Sequence, residues 1–140
     1  MSFSNEFLYD FKPVYEGILM AKDVKPERAV VEVIDEEQEG AGMFEPAGAL
    51  EVLEQIGDDV NTLTIYTDRA AYFREFAETM YEKNGLVSLI VSKKRLGLAK
   101  KTVGCSSIFL FDFEWNSAFY EKQIALGKHY IPVSYTHLTL

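Results

Sequence analysis

The clearest indication of the fold comes from residues 62–92, which read TLTIYTDRAAYFREFAETMYEKNGLVSLIVS. Its first six residues are rich in β-branched and aromatic side chains and predict a strand. Asp68 follows as the predicted N-cap of a helix. The helix is indicated by apolar residues at i, i+3, i+4, i+7 and i+8, which would form its buried face: Phe73, Phe76, Ala77, Met80 and Tyr81.

The same stretch also predicts where the helix ends and which element comes next. Asn84 and Gly85 tolerate the left-handed conformation that a helix C-cap requires. Residues 86–91 are apolar nearly throughout, which predicts a second strand buried on both of its faces, as in a parallel sheet. A strand, a helix and a strand joined by short connections form a βαβ unit.

The same alternation continues on both sides of this unit. Strands are predicted at 29–34 and 108–111, and another begins near 129–131. Helices are predicted from Pro46 to Gly57 and over 117–126, with a short one near 96–101, whereas residues 13–21 suit a helix or a strand. This order predicts a three-layer, Rossmann-like α/β domain with a mostly parallel sheet. The expected domain is single and spans residues 1–132.

The composition favours a globular domain and argues against a nucleic-acid-binding or membrane protein. A hydrophobic content of 48% and a net charge of −8 fit a globular domain and argue against nonspecific nucleic-acid binding. No apolar run approaches the roughly 18 residues that cross a bilayer, so no membrane partner is expected. One cysteine fits a reducing compartment, and the predicted location is cytoplasmic. The basic residues concentrate late in the chain, above all at Lys93, Lys94, Arg95, Lys100 and Lys101.

Polar residues follow three predicted strands, and parallel pairing would bring them to one rim of the sheet. These residues are Thr67, Asp68 and Arg69, then Ser92, Lys93 and Lys94, then Asp112 and Glu114. We expect the first two groups to bind an anionic small molecule. Arg69, Lys93 and Lys94 would supply charge-assisted hydrogen bonds, and Asp68 would accept from a hydroxyl.

The strand ending in Asp68-Arg69 resembles the second βα unit of dinucleotide-binding domains. In those domains an acidic residue at this place takes the ribose hydroxyls, or an arginine takes a ribose phosphate, so the resemblance implies a nucleotide ligand. The glycine fingerprint that such domains place after the preceding strand is incomplete here. Gly40 and Gly42 begin it, but Glu45 stands where the third glycine is needed, and carboxylates precede it. A standard NAD site is therefore not expected.

Residues 109–114, FLFDFE, resemble the first motif of haloacid-dehalogenase-type phosphotransferases. There a strand ends in Asp-x-Asp, the first Asp is the nucleophile and Mg²⁺ binds beside it. The resemblance implies an alternative function, a Mg²⁺-dependent phosphoryl-transfer enzyme using Asp112 and Glu114. The sequence departs from the motif at Glu114 and at Trp115-Asn116, which replaces Gly-Thr. A third possibility is a structural or partner-binding domain without catalysis.

The last eight residues, 133–140, resemble a translation of the transposase mosaic end that is ligated to DNA during sequencing-library preparation. Read in frame, that element encodes VSYTHLTL. It begins two bases earlier with CT, and Pro132 is one of the four residues whose codons end in CT. We therefore expect residues 133–140 to be a non-native tail and the domain to be truncated at its C-terminus.

Overall fold

The computed structural model describes residues 11–36, 48–98, 108–114 and 117–133. Helices and strands alternate along these residues. They are α1 (Lys12–Ala21), β1 (Val30–Ile34), α2 (Ala49–Ile56), β2 (Thr62–Tyr66), α3 (Ala70–Asn84), β3 (Ser88–Val91), α4 (Lys94–Leu98), β4 (Ile108–Asp112), α5 (Ser117–Ala125) and β5 (His129–Pro132). The N-terminal segment, which suited either a helix or a strand, is the helix α1, with Pro13 in its first turn.

The described strands form one sheet in the order β3-β2-β1-β4-β5, and every neighbouring pair is parallel. Ile34 at the end of β1 lies level with Tyr66 on one side and Asp112 on the other. The carboxyl ends of the three central strands therefore finish at the same height. The predicted Rossmann-like α/β fold is confirmed, and its strand order reverses between β1 and β4.

Alternate residues of the strands pack against opposite layers of helices. Val31 and Val33 of β1 belong to the larger apolar core, together with buried residues of α1, α2 and α3. Ile34 belongs to a second core with Tyr66, Leu96 and Leu110. Because successive side chains of a strand point to opposite faces, this division makes the domain three layers thick.

The prediction that β3 is buried on both faces is wrong. β3 is an edge strand in the described sheet, and Leu89 is 57% exposed. Tyr81, predicted to lie on the buried face of α3, is 61% exposed, whereas Phe73, Phe76 and Met80 are buried as predicted. Apolar composition identified β3 as a strand, but its place at the edge follows from the order in which the chain assembles the sheet.

The two ends of α3 behave differently. Gly85 has φ 69, so the left-handed C-cap predicted from Asn84-Gly85 is confirmed. The prediction that Asp68 caps the other end is wrong, because Arg69 occupies the N-cap position and no side chain caps the helix. The carboxylate of Asp68 accepts hydrogen bonds from the loop after β3 instead.

Several sequence predictions lie outside the described residues. These concern Gly40, Gly42, Glu45, Pro46, Lys100, Lys101, the single cysteine (Cys105), Trp115, Asn116 and residues 134–140. Val133, the first residue of the expected non-native tail, is buried, and its N–H donates to the carbonyl of Asp112 over 2.8 Å. The foreign origin of the tail stays a prediction. No helix in the described part of the chain is long and apolar enough to cross a membrane.

Candidate functional site

The strand order reverses between β1 and β4, the place where open parallel sheets bind ligands. A carboxylate stands at the end of each of these strands. Asp35 directly follows β1, Asp112 is the last residue of β4, and both are fully buried. Buried carboxylates require partners because an isolated charge away from water is costly, so the partners of this pair define the site.

Asp35 is held by two side chains from the end of β2. The guanidinium of Arg69 binds it in a bidentate manner, with Nε 2.7 Å from Oδ2 and Nη2 2.8 Å from Oδ1. The hydroxyl of Thr67 donates to Oδ2 over 2.8 Å and accepts the N–H of Arg69 over 3.0 Å. Thr67 thus fixes both members of the ion pair, which places Arg69 over the end of β1.

The charges of this pair stabilise each other. Burial alone would raise the pKa of Asp35, but the hydrogen bonds from Arg69 and Thr67 hold that pKa below its usual value. The hydrogen bonds to Asp35 raise the pKa of Arg69 in turn. Arg69 also stacks on Tyr72, with its guanidinium carbon 4.0 Å from the ring centroid. The arginine is therefore a fixed, charged group at the rim, and its side chain is 18% exposed.

The carboxylate of Glu36 lies at the N-terminus of α2, the helix that follows β1. In many domains of this fold an anionic ligand binds at that place. Glu36 Oε1 accepts the N–H of Ala49 over 3.1 Å. A Cβ added to Gly48 would lie 1.8 Å from Oε2 of Glu36, so the glycine allows the carboxylate to approach. A pyrophosphate bound in the NAD manner would have to displace this carboxylate.

The environment of Glu36 makes its charge costly. Burial, reinforced by the neighbouring Asp35 and opposed by the N–H of Ala49, raises the pKa of Glu36 to about 7. Arg69 Nη2 lies 3.9 Å from Glu36 Oε2, so the guanidinium faces two carboxylates. The rim next to β1 is consequently rich in acceptors and already holds its own cation.

Asp68 joins the loops after β2 and β3. Its Oδ1 accepts the hydroxyl of Ser92 over 2.9 Å and the N–H of Lys93 over 3.3 Å. Ser92 Oγ also accepts the N–H of Lys94 over 3.3 Å, while the side chain of Lys94 is exposed. The six predicted ligand-binding residues thus form two hydrogen-bonded groups. Thr67 and Arg69 are joined to Asp35, whereas Asp68 and Ser92 are joined to each other and to the backbone of Lys93 and Lys94.

Lys93 extends this rim toward β4. Its ammonium group forms an ion pair with the carboxylate of Glu114, although β2 and β1 separate the two strands that these residues follow. The side chain of Lys93 is 9% exposed and that of Glu114 is 26% exposed. The three groups of polar residues predicted to share one rim are brought together there.

Asp112 and Glu114, the predicted metal ligands, both have protein partners. Asp112 Oδ2 accepts the hydroxyl of Tyr130 over 2.6 Å, and Oδ1 accepts the N–H of Glu114 over 2.9 Å. Within the described ranges, no cluster of three or more histidine, cysteine, aspartate or glutamate side chains could hold a metal ion. These contacts give both carboxylates a role in fixing the loop after β4.

Sequence reasoning missed Asp35, Glu36 and Tyr130 as members of this site. Asp35 and Glu36 follow a predicted strand just as Thr67 and Ser92 do, so the same rule would have found them. Tyr130 could not be found in this way because its hydroxyl reaches Asp112 only through the pairing of β4 with β5.

Neither a protein-family model, nor a curated protein sequence, nor a solved structure matches this chain.

Proposed function

We propose that this domain binds a small anionic molecule, most specifically a nucleotide, at the carboxyl ends of its strands. The observation that carries the proposal is the convergence of Arg69, Lys93 and their carboxylate partners on the point where the strand order reverses. Ligand sites in open α/β sheets occur at such points because the loops on either side diverge and leave a crevice.

A lysine that is already paired with a carboxylate could bind a phosphate by exchanging one anion for the other. A phosphate that replaces the Glu114 carboxylate on Lys93 leaves the buried ammonium group paired, so the step avoids an isolated charge. Glu114 is the more exposed partner, and in this proposal its side chain turns toward solvent when the phosphate binds. The exposed side chain of Lys94 would add a second cation to the phosphate, and Asp68 would accept from a ribose hydroxyl.

Arg69 has a different part in this proposal. Its bidentate pair with the fully buried Asp35 makes it a positioning residue, because removing it would leave a buried charge behind. The substitutions that test binding should therefore change Lys93, Lys94 and Glu114 first.

The experiment is a thermal-shift titration with AMP, ATP and inorganic phosphate in metal-free buffer. A ligand that binds only the folded state raises the melting temperature as its concentration rises. We expect ATP to stabilise the wild type, Lys94→Met to weaken this effect and Lys93→Met to abolish it. Glu114→Gln should strengthen it by releasing Lys93. The control is Lys25→Met, an exposed lysine that precedes β1 and therefore lies away from the carboxyl-end rim.

Other outcomes would favour the alternatives. Stabilisation by Mg²⁺ alone, lost in Asp112→Ala, would support phosphoryl-transfer chemistry at Asp112 and Glu114. An unchanged melting temperature with every ligand would contradict the anion-binding proposal and favour a structural or partner-binding domain.

A further inference from the structure

Several large apolar side chains on and near the edge strand β3 are exposed to solvent. Large exposed hydrophobic residues cluster along it and beside it: Tyr81, Val87, Leu89 and Leu98, which are between 57% and 68% exposed. Isolated exposed apolar residues are ordinary, but four large ones on the two faces of one sheet edge indicate an interaction surface.

Two shallow concavities flank β3, one on each face of the sheet. One of about 290 Å³ lies between α3 and the start of β3 and includes Glu78, Tyr81, Glu82 and Val87. The other, of about 330 Å³, lies beside α4 and includes Leu89, Arg95 and Leu98. A partner that covered this edge could therefore bury apolar side chains on both faces at once.

The backbone of β3 can extend the sheet. The carbonyl of Val91 accepts the N–H of Thr67 over 2.8 Å, so Val91 turns its peptide groups toward β2. By the alternation of a strand, the N–H and carbonyl of Ile90 point the other way, where the described sheet has no further strand. These groups are suited to pair with an added strand.

We propose that β3 is the surface through which two copies of this chain associate, edge to edge and antiparallel, to form one continuous sheet. The charges on α3 indicate that the partner at this edge is a second copy of the chain. Arg74, Glu78 and Glu82 are exposed and, spaced by four residues, share one face of the helix. The basic residue lies in the first half of α3 and the two acidic residues lie in the second half.

An antiparallel two-fold arrangement matches these charges. α3 packs on β3, so in this arrangement the two α3 helices run antiparallel beside each other on one face of the joined sheet. The proposal places the two-fold axis beside the middle of α3, so that Arg74 of one copy faces Glu78 and Glu82 of the other. The pattern is self-complementary, so the same contact forms twice between two copies of the chain.

The first test is the association state by sedimentation equilibrium over a range of protein concentrations. We expect a reversible dimer in the wild type and a dissociation constant at least about tenfold weaker in Leu89→Lys, since two like charges would meet in a formerly apolar contact. Met20→Lys, at an apolar side chain of α1 that is 82% exposed, is the matched control and should leave the dimer unchanged. A monomeric wild type, or a dimer indifferent to Leu89→Lys, would overturn the proposal.

The second test examines the antiparallel arrangement with charges. Arg74→Glu makes the face of α3 wholly acidic, and the double variant Glu78→Arg/Glu82→Arg makes it wholly basic. Each variant alone should be monomeric, and a mixture of the two should form a heterodimer because every contact becomes opposite in sign. Helix content measured by circular dichroism shows whether α3 remains folded. A mixture that stays monomeric, or single variants that still self-associate, would contradict the antiparallel pairing.

The interface does not depend on the proposed ligand site. The rim lies at the carboxyl ends of the strands, whereas these contacts lie along the side of β3, so nucleotide binding and dimerisation can fail separately.

Discussion

Two carboxylates in or directly after β1, Glu32 and Asp35, each form an ion pair, and the two pairs differ in their exposure to solvent. In the interior, Lys128 Nζ lies 2.6 Å from Glu32 Oε1 and 2.6 Å from Gln123 Oε1. At the end of the strand, Asp35 binds Arg69, whose side chain is 18% exposed, against 5% for Lys128. We call these the core pair (Glu32 and Lys128) and the rim pair (Asp35 and Arg69).

The difference is in how accessible each pair is to solvent. The polar groups around the core pair are bonded within the protein. Gln123 accepts from Lys128 and donates to the carbonyl of Leu96 over 3.1 Å, so these hydrogen bonds join β1, α4 and the end of α5. The rim pair has the same chemistry, but it borders solvent and a second carboxylate, that of Glu36. The rim pair is therefore within reach of the proposed ligand, whereas the core pair is surrounded by protein.

The largest expected effect is the loss of one member of the core pair. Lys128→Met should lower the free energy of unfolding by about 3–5 kcal/mol, because Glu32 would keep a buried charge without its cation. The double variant Glu32→Leu/Lys128→Met should recover most of this loss. Urea denaturation of the four proteins of this cycle measures both effects. Equal losses in the single and double variants would show that packing, and not charge, holds this region.

The rim pair should respond less strongly. Arg69→Ala should lower the free energy of unfolding by about 1.5–3 kcal/mol, because water can reach part of the space that the guanidinium leaves. Arg69→Lys should recover little of this loss, since an ammonium group cannot bind both oxygens of Asp35 at once. Chemical denaturation of both variants measures the losses. A loss as large as that of Lys128→Met would remove the distinction between the two pairs.

Glu36 should give the rim a pH dependence. Its pKa in the folded protein is about 7, above the usual value of 4.5, so between these values the folded state binds more protons than the unfolded state. This contribution to stability is therefore present below about pH 4.5 and is lost as the pH rises through about 7. Glu36→Gln should remove a change on the order of 2–3 kcal/mol between about pH 5 and about pH 8.

The measurement for Glu36 is the free energy of unfolding in urea at both pH values. Glu51→Gln is a suitable control, because Glu51 caps the same helix through the N–H of Gly48. Identical pH profiles for the wild type and Glu36→Gln would show that Glu36 is not the group that titrates.

The smallest expected effect concerns a polar group at the edge of the sheet. Within the described residues, Ser88 Oγ is buried and has no hydrogen-bond partner. Ser88→Ala should therefore leave the melting temperature unchanged or raise it slightly, by the equivalent of about 0–1 kcal/mol. In contrast, Thr67→Ala should lower it, because the Thr67 hydroxyl donates to Asp35. A clear loss in Ser88→Ala would mean that its hydroxyl has a partner in solution.

Much of the fold could be predicted from local patterns. The apolar spacing of Phe73, Phe76 and Met80 identified α3, and Asn84-Gly85 located its end, because a helix has a fixed period and a left-handed C-cap has few suitable residues. The prediction failed for Tyr81 and Leu89, since composition records hydrophobicity but not which strand lies at the edge.

The candidate site was partly predictable. The rule that polar loops follow parallel strands found Thr67, Arg69 and Lys93, and the structure places these residues on one rim. It did not indicate that Arg69 binds Asp35 or that Lys93 binds Glu114, because the partners are separated by 34 and 21 residues in the chain.

Most local features of this protein follow from its sequence alone: which segments after residue 21 are strands or helices, where α3 ends, and that charged groups follow the strands. These depend on periodicity and on the backbone preferences of a few residues. The sheet order, the exposed edge at β3 and the pairing of charges into a buried core pair and a more exposed rim pair follow from tertiary packing. The physical reason is that ion pairing and burial depend on distances across the sheet, which are set by the packing of the whole chain.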